Sequence, residues 1–272
     1  MPVPAAESPI IWFVGGPPLG PGVFADVQSR LGRGELVAVL DPERPRDGWR
    51  ERGDALALRI RAAGRPVVLV AHGLGVPAAI AAAPATAGLV LLNGPITRLD
   101  PVTAAFARLA RLAPAAVAGS LLQRGVLVPW LASSAGLRRV VANPYVMDRD
   151  TVAALAVSTV ESAEARAASA SYLASLAAGL PEVGRMAVPM AVLWGDEDLL
   201  YPCSEADFVC VRAGLEPYRR LAGGRFLGVV ERPWEVAEEL VLFLSKCFPG
   251  AQTATPMSQS AAGRPPKKRK AG

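Results

Sequence analysis

Leu69-Val70-Ala71-His72-Gly73-Leu74-Gly75-Val76-Pro77-Ala78-Ala79 is the stretch that decides the fold. It continues the apolar, β-branched run that opens at Pro66, bends through two glycines, and proceeds in small helix-compatible residues. Such a pattern predicts a buried strand turning sharply into a helix, with small side chains allowing strand and helix to approach closely.

The same alternation repeats on both sides of this corner. Ile10–Val14 (IIWFV) predicts a strand that leaves into the loop Gly15-Gly16-Pro17-Pro18, and Glu35–Leu40 predicts the next strand. Phe24–Leu31 and Trp49–Ala63 carry helical spacing around them, Asp41–Gly48 is a charged, proline-rich surface loop, and Gly88–Leu92 predicts a further strand. Met190–Trp194 returns to strand character, followed by a helix over Ser204–Ala213, a short strand near Arg225–Val230, and a last helix over Pro233–Phe248. Strands that are apolar throughout, alternating with helices, imply an α/β fold with a mostly parallel sheet flanked by helices on both faces. Residues 97–183 differ: alanine, leucine and arginine at helical spacing, interrupted by Pro101, Pro114, Pro129 and Pro144, predict an inserted helical lid. The domain is expected to span residues 1–250 and a disordered basic tail residues 251–272, where Thr, Ser, Gln and Pro dominate.

Charge excludes one function class for the folded part. Arg264, Lys267, Lys268, Arg269 and Lys270 are five of the 29 basic residues, and without them 24 face 24 acidic ones. Residues 1–250 are therefore formally neutral and offer no bulk attraction for nucleic acid. Nucleic acid is expected as a partner only through Lys267, Lys268, Arg269 and Lys270; the tail could equally solubilise the chain or engage an acidic partner. The three cysteines show no paired spacing and histidine occurs once, so neither a metal nor another cofactor is expected. A reducing, cytoplasmic setting fits this cysteine usage. No run reaches the roughly 20 apolar residues of a membrane span.

Three segments in order carry a resemblance. Ala71, Gly73 and Gly75 fill the G-x-S-x-G frame of a nucleophile elbow; Trp194-Gly195-Asp196-Glu197-Asp198 follows a strand; and Gly223-Gly224-Arg225-Phe226 precedes Glu231-Arg232-Pro233. Together they resemble the α/β-hydrolase superfamily over about residues 8–248. Family members commonly read G-H-S-x-G, W-G-x-x-D, and G-H-F with E-R-P at these places. The resemblance puts the acid at Asp198, the nucleophile position at Gly73 and the base position at Arg225. It makes Gly15-Gly16 the counterpart of the His-Gly pair whose loop contributes an oxyanion-hole amide.

That resemblance implies the fold and a degenerate catalytic set. Serine attack needs a hydroxyl and a base, whereas Gly73 has no side chain and an arginine does not give up its proton. The expected function is thus a pseudohydrolase that binds a small apolar or acyl-type ligand, or a protein partner. Gly15, Gly16, Gly73, Leu74 and Trp130 are the candidate binding residues. Alternatives are an enzyme acting on an ester or related small molecule without a serine nucleophile, through water activated by Asp198, and a scaffold engaging acidic partners through the tail.

For His72 two roles are open: a displaced general base, or a ring filling the G-H-S position with its side chain turned from the reaction side, the second being the expectation. Asp198 is either a loop carboxylate with no partner or paired with Arg225 in place of the usual acid–histidine contact, the pairing being the expectation. The apolar lid residues, among them Phe106, Leu109, Leu112, Leu121, Val126, Trp130 and Leu131, line a pocket, form a partner surface, or simply pack on the core. Arg98, Arg108, Arg111 and Arg124 then form a solvated face; a membrane-surface role would require them on the headgroup side.

Overall fold

The computed structural model describes residues 8–113 and 115–249. The tail on which the basic-partner reading rests lies outside them.

Six parallel strands form one sheet in the order β2-β1-β3-β4-β5-β6. They are β1 (Ile10–Gly15), β2 (Glu35–Ala38), β3 (Val67–His72), β4 (Gly88–Leu92), β5 (Met190–Gly195) and β6 (Arg219–Leu221). The central strands β1, β3 and β4 are buried almost without interruption, as their unbroken apolar sequences demand when helices cover both faces. The edges β2 and β6 are short and largely exposed, which limits pairing with other chains.

Helices α1 (Ala25–Leu31), α2 (Trp49–Ala62) and α3 (Val76–Ala82) connect the first strands. The Asp41–Gly48 loop before α2 is held from within: Arg52, only 2% exposed, donates to the carbonyls of Asp41 and Arg44. Beyond β5 come α10 (Cys203–Ala213), the single-turn α11 (Gly228–Glu231) and α12 (Pro233–Cys247). Residues 225–230 are therefore not a strand as their sequence suggested. Pairing with β5 ends at Gly195↔Leu221. The Gly224 carbonyl then accepts from Glu197 N at 3.0 Å, turning the chain off the sheet into α11.

Between β4 and β5 the chain forms α4 (Pro101–Leu112), α5 (Ala115–Ser120), α6 (Arg124–Leu131), α7 (Ser134–Val140), α8 (Arg149–Val160) and α9 (Ala163–Ala177). Side-chain caps start four of them: Asp100 accepts from Val102 N and Thr103 N, Ser133 from Gly136 N, Asp148 from Thr151 N, and Ser162 from Ala165 N. The insertion is rooted at its entry by the buried Glu205 of α10, whose carboxylate accepts from Ile96 N and Thr97 N. Among the described residues no helix is long and apolar enough to cross a membrane.

The strand order fixes where a site can form. From β1 the chain moves out to β2, then returns past β1 to β3, so loops at the carboxyl ends of β1 and β3 leave in opposite directions. Such a switch point opens a crevice at the sheet's carboxyl edge. The insertion roofs that crevice.

Candidate functional site

The turn after β3 is the centre of the crevice. Gly73–Gly75 make one 3₁₀ turn into α3, and Gly73 has φ +57°, a left-handed conformation that glycine holds at no steric cost. Gly16, from the loop after β1, lies so close to this corner that a Cβ there would stand 2.3 Å from the Leu74 carbonyl carbon. The carbonyl of Leu74 accepts from Tyr172 Oη of α9 at 2.6 Å, which ties the corner to the insertion.

A cavity of about 280 Å³ opens above this corner. Its floor includes Gly16, Pro17, Gly73 and Leu74, and its roof Phe106, Leu122, Trp130 and Leu131 from the insertion. The wall is predominantly apolar, with Asp100, Thr103, Arg139 and Tyr201 as its polar members. Of the five candidate binding residues, Gly16, Gly73, Leu74 and Trp130 are in this wall. Gly15 is not: its α-carbon is packed against the Gly20–Pro21 backbone, where a Cβ would stand 2.1 Å from the Gly20 carbonyl oxygen. Within the loop after β1, Pro17 and Pro18 have no backbone N–H, so only Gly16 and Leu19 of its cavity-lining residues can donate one.

The residues at the three positions of the resemblance are not joined to one another. The ring of Phe226 stands directly over Gly73, and a Cβ on Gly73 would lie 2.9 Å from its Cζ. His72 fixes that ring's backbone: its Nε2 donates to the Phe226 carbonyl at 2.7 Å, and the two rings lie 4.6 Å apart. Burial lowers the His72 pKa to about 4, with the bond to Phe226 opposing the shift, so the imidazole is neutral and already committed. It is a structural ring, packed on the Phe226 ring that covers Gly73.

Asp198 does not pair with Arg225, which corrects the expected ion pair. Its Oδ2 accepts from Asn93 Nδ2 at 2.7 Å, and its Oδ1 from the N–H groups of Leu200 and Tyr201 at 2.8 and 3.2 Å. Burial raises its pKa to about 6 against the opposing effect of these bonds. Arg225 points elsewhere, donating from one amino group to the carbonyls of Arg138 and Val141 at the end of α7. A guanidinium stays charged and carries five donors, and free carbonyls at a helix C-terminus accept from it without displacing the backbone amides that already hold the Asp198 carboxylate.

Two neighbours strengthen the same fastening: Leu227 N donates to the Val140 carbonyl at 2.7 Å, and Glu231 accepts from Ala142 N and Asn143 N at 3.0 Å. Arg225→His is accordingly expected to lower stability by about 1–2 kcal/mol. It should also speed amide exchange over residues 138–143, read by hydrogen–deuterium exchange mass spectrometry. Unchanged exchange there would remove this role.

Asn93 is the site residue that sequence reasoning missed. It directly follows β4, is 1% exposed, and has φ +26°. Its carbonyl accepts from Gly73 N at 2.9 Å, its Oδ1 from Gly195 N at 3.1 Å, and its Nδ2 binds Asp198. One side chain and one carbonyl thus connect the turn after β3, the end of β5 and the acid. The available signal was a lone amide between the apolar run Gly88–Leu92 and the turn residues Gly94-Pro95.

Comparison with known proteins adds a family-level finding. The model of the alpha/beta hydrolase family matches residues 8–261. No curated protein matches the sequence. Among solved structures, a thermophilic esterase from Thermogutta terrifontis is similar at 17% identity with a TM-score of 0.65, covering 90% of this chain and 92% of that one. A haloalkane dehalogenase from Bradyrhizobium elkani is similar at 16% identity, TM-score 0.64 and coverage of 89% and 91%. The type II thioesterase of the borrelidin biosynthetic cluster gives 17%, 0.59, and 89% and 94%. At these identities the likeness is one of fold.

Proposed function

Because the chain belongs to the alpha/beta hydrolase family, we propose that it is a non-catalytic member that binds a small apolar or acyl-type ligand in the cavity above Gly73. The observation that carries this reading is the Phe226 ring standing where a side chain at position 73 would project, beside an apolar cavity. Gly73 supplies no hydroxyl or thiol, and Arg225 stays protonated, so nucleophile and base are both missing from the family's usual places. The cavity wall provides contact area for a hydrocarbon or acyl group, with the half-buried Thr103, itself hydrogen-bonded to Tyr201, placed to orient one polar atom.

Water attack assisted by Asp198 is less well supported. Both of its oxygens are engaged by Asn93, Leu200 and Tyr201, and it is not among the residues that line the cavity. A general base must reach the water it activates.

A fluorophosphonate probe and p-nitrophenyl ester hydrolysis test the proposal on the full chain. No labelling and no turnover above background are expected. Gly73→Ser alone is expected to gain neither, since the new Cβ meets Phe226 and no base replaces Arg225. Labelling of the parent chain that an ester substrate competes away would overturn the reading. Binding is read separately as a rise in melting temperature with decanol or decanoic acid. A ligand at about 100 times its Kd adds about 2.7 kcal/mol, and no rise with any apolar or acyl compound would remove the ligand half of the proposal.

A further inference from the structure

The insertion carries an unusual pairing of charge and exposure. Between residues 98 and 139 stand six arginines, Arg98, Arg108, Arg111, Arg124, Arg138 and Arg139, and one acidic residue, Asp100. Asp100 is 3% exposed and spent on the α4 cap, so it presents no carboxylate to solvent. All the arginines except Arg139 are exposed, Arg98 with its guanidinium 4.0 Å from the buried Glu205. The same segment holds Val102, Leu109, Leu112, Val117, Leu121, Val126 and Trp130 as exposed large apolar residues. Leu112 is 86% and Trp130 46% exposed.

These residues form an organised face. On α4, Val102, Phe106, Leu109 and Leu112 follow helical spacing along one stripe, while Ala107 and Ala110 occupy the buried side. Arg108 and Arg111 fall between the stripe's outer edge and the buried side. Val102, Leu121, Val126 and Trp130 are exposed and also line the cavity, so the apolar face surrounds its mouth. Within residues 98–139 apolar side chains, arginines and a tryptophan gather with no exposed carboxylate among them, and the exposed Asp150 of α8 stands beside Arg124 at the edge. An anionic lipid bilayer matches all of these features: hydrocarbon takes the apolar side chains, the interface takes tryptophan, and anionic headgroups take the arginines.

We propose that the α4–α6 face docks in plane on an anionic membrane surface, with the mouth of the cavity turned toward the lipid. This goes beyond the ligand-binding reading and stands without it, since it rests on exposure and charge and not on Gly73.

The test uses the full chain with vesicles of phosphatidylcholine, alone or mixed with phosphatidylglycerol, carrying bromine on the acyl chains. The tail lysines would draw the chain to anionic vesicles by charge alone, so the deciding readout is acyl-chain quenching of tryptophan. Trp12, Trp49 and Trp194 are buried, and the half-buried Trp234 stands at the start of α12 under Arg30, outside this face, so Trp130 is the face's exposed reporter. Quenching is expected with the mixed vesicles, and Trp130→Phe is expected to remove it. At about fivefold per arginine near the surface, Arg108→Gln with Arg111→Gln should weaken partition about thirtyfold. Leu109→Glu with Leu112→Glu should abolish quenching, and since both positions are exposed, the fold, followed by circular dichroism, should hold.

Vesicle binding without quenching would assign the attraction to the tail and overturn the proposal, as would no binding at all. A dimer in vesicle-free solution that the two glutamates dissolve would give the face to a second copy of the chain instead. The quenching of the parent chain decides the matter even if a variant proves unstable.

Discussion

Asn93→Leu is expected to lower the unfolding free energy by about 3–4 kcal/mol, the largest effect of any single polar replacement around the site. The substitution removes the Nδ2 donor to Asp198 Oδ2 and the Oδ1 acceptor of Gly195 N, both inside the protein. Leucine fills the space but satisfies neither group. A buried donor or acceptor left unpaired costs about 1–3 kcal/mol, more where the group is charged. The backbone adds to this, because φ +26° is a region that asparagine tolerates better than a branched apolar residue. Urea unfolding followed by circular dichroism gives the difference; a loss below about 1 kcal/mol would show that the junction is held without this side chain.

The second large effect concerns pH, where two buried groups pull stability in opposite directions. Burial lowers His72 to about 4, below its ordinary 6.5. The unfolded chain therefore binds a proton there that the folded chain refuses, and stability rises as pH goes from 4 to 6.5, by about 3 kcal/mol. Burial raises Asp198 from 3.8 to about 6. In that case the folded chain keeps a proton that the unfolded chain releases, and stability falls by about 3 kcal/mol as pH rises from 3.8 to 6.

The two slopes nearly cancel, so the parent chain is expected to show a flat stability profile between about pH 4 and 6. His72→Gln keeps a donor for the Phe226 carbonyl and removes one slope: its stability should fall with rising pH. Asp198→Asn removes the other, and its stability should rise. Unfolding free energies at half-unit pH intervals check this, and parallel profiles for the three proteins would refute it. The slope is the readout, because each substitution also carries a pH-independent cost in its own hydrogen bonds.

Much of the fold was legible because it is written in runs of apolar residues. Ile10–Val14, Pro66–Ala71 and Gly88–Leu92 mark three of the four interior strands with few or no polar interruptions, and a strand buried on both faces needs that composition. The edge strand Arg219–Leu221 was not legible, since two of its three residues are exposed arginines and its place is set by pairing with β5. The elbow, the acid and the last helix could be read as local motifs. The Asn93 amide that binds Asp198 and the carbonyls that bind Arg225 could not, because they come from segments distant in the chain. Asn93 reaches Asp198 through the β4–β5 ladder, which aligns Leu92 with Leu193 and so brings the carboxyl ends of both strands together. Arg225 finds its carbonyls at the end of α7, inside an insertion that carries no motif.

The bare α-carbon of Gly73 has a consequence for how the cavity keeps time. On the proposed non-catalytic reading, an occupant there is held by contact alone, since position 73 offers no side-chain atom on which a covalent adduct could form. Its residence ends by diffusion, not by a second chemical step, and its occupancy follows mass action. The fraction filled then tracks the surrounding concentration in both directions, and the fold gains stability in proportion to the logarithm of that concentration once it is well above Kd.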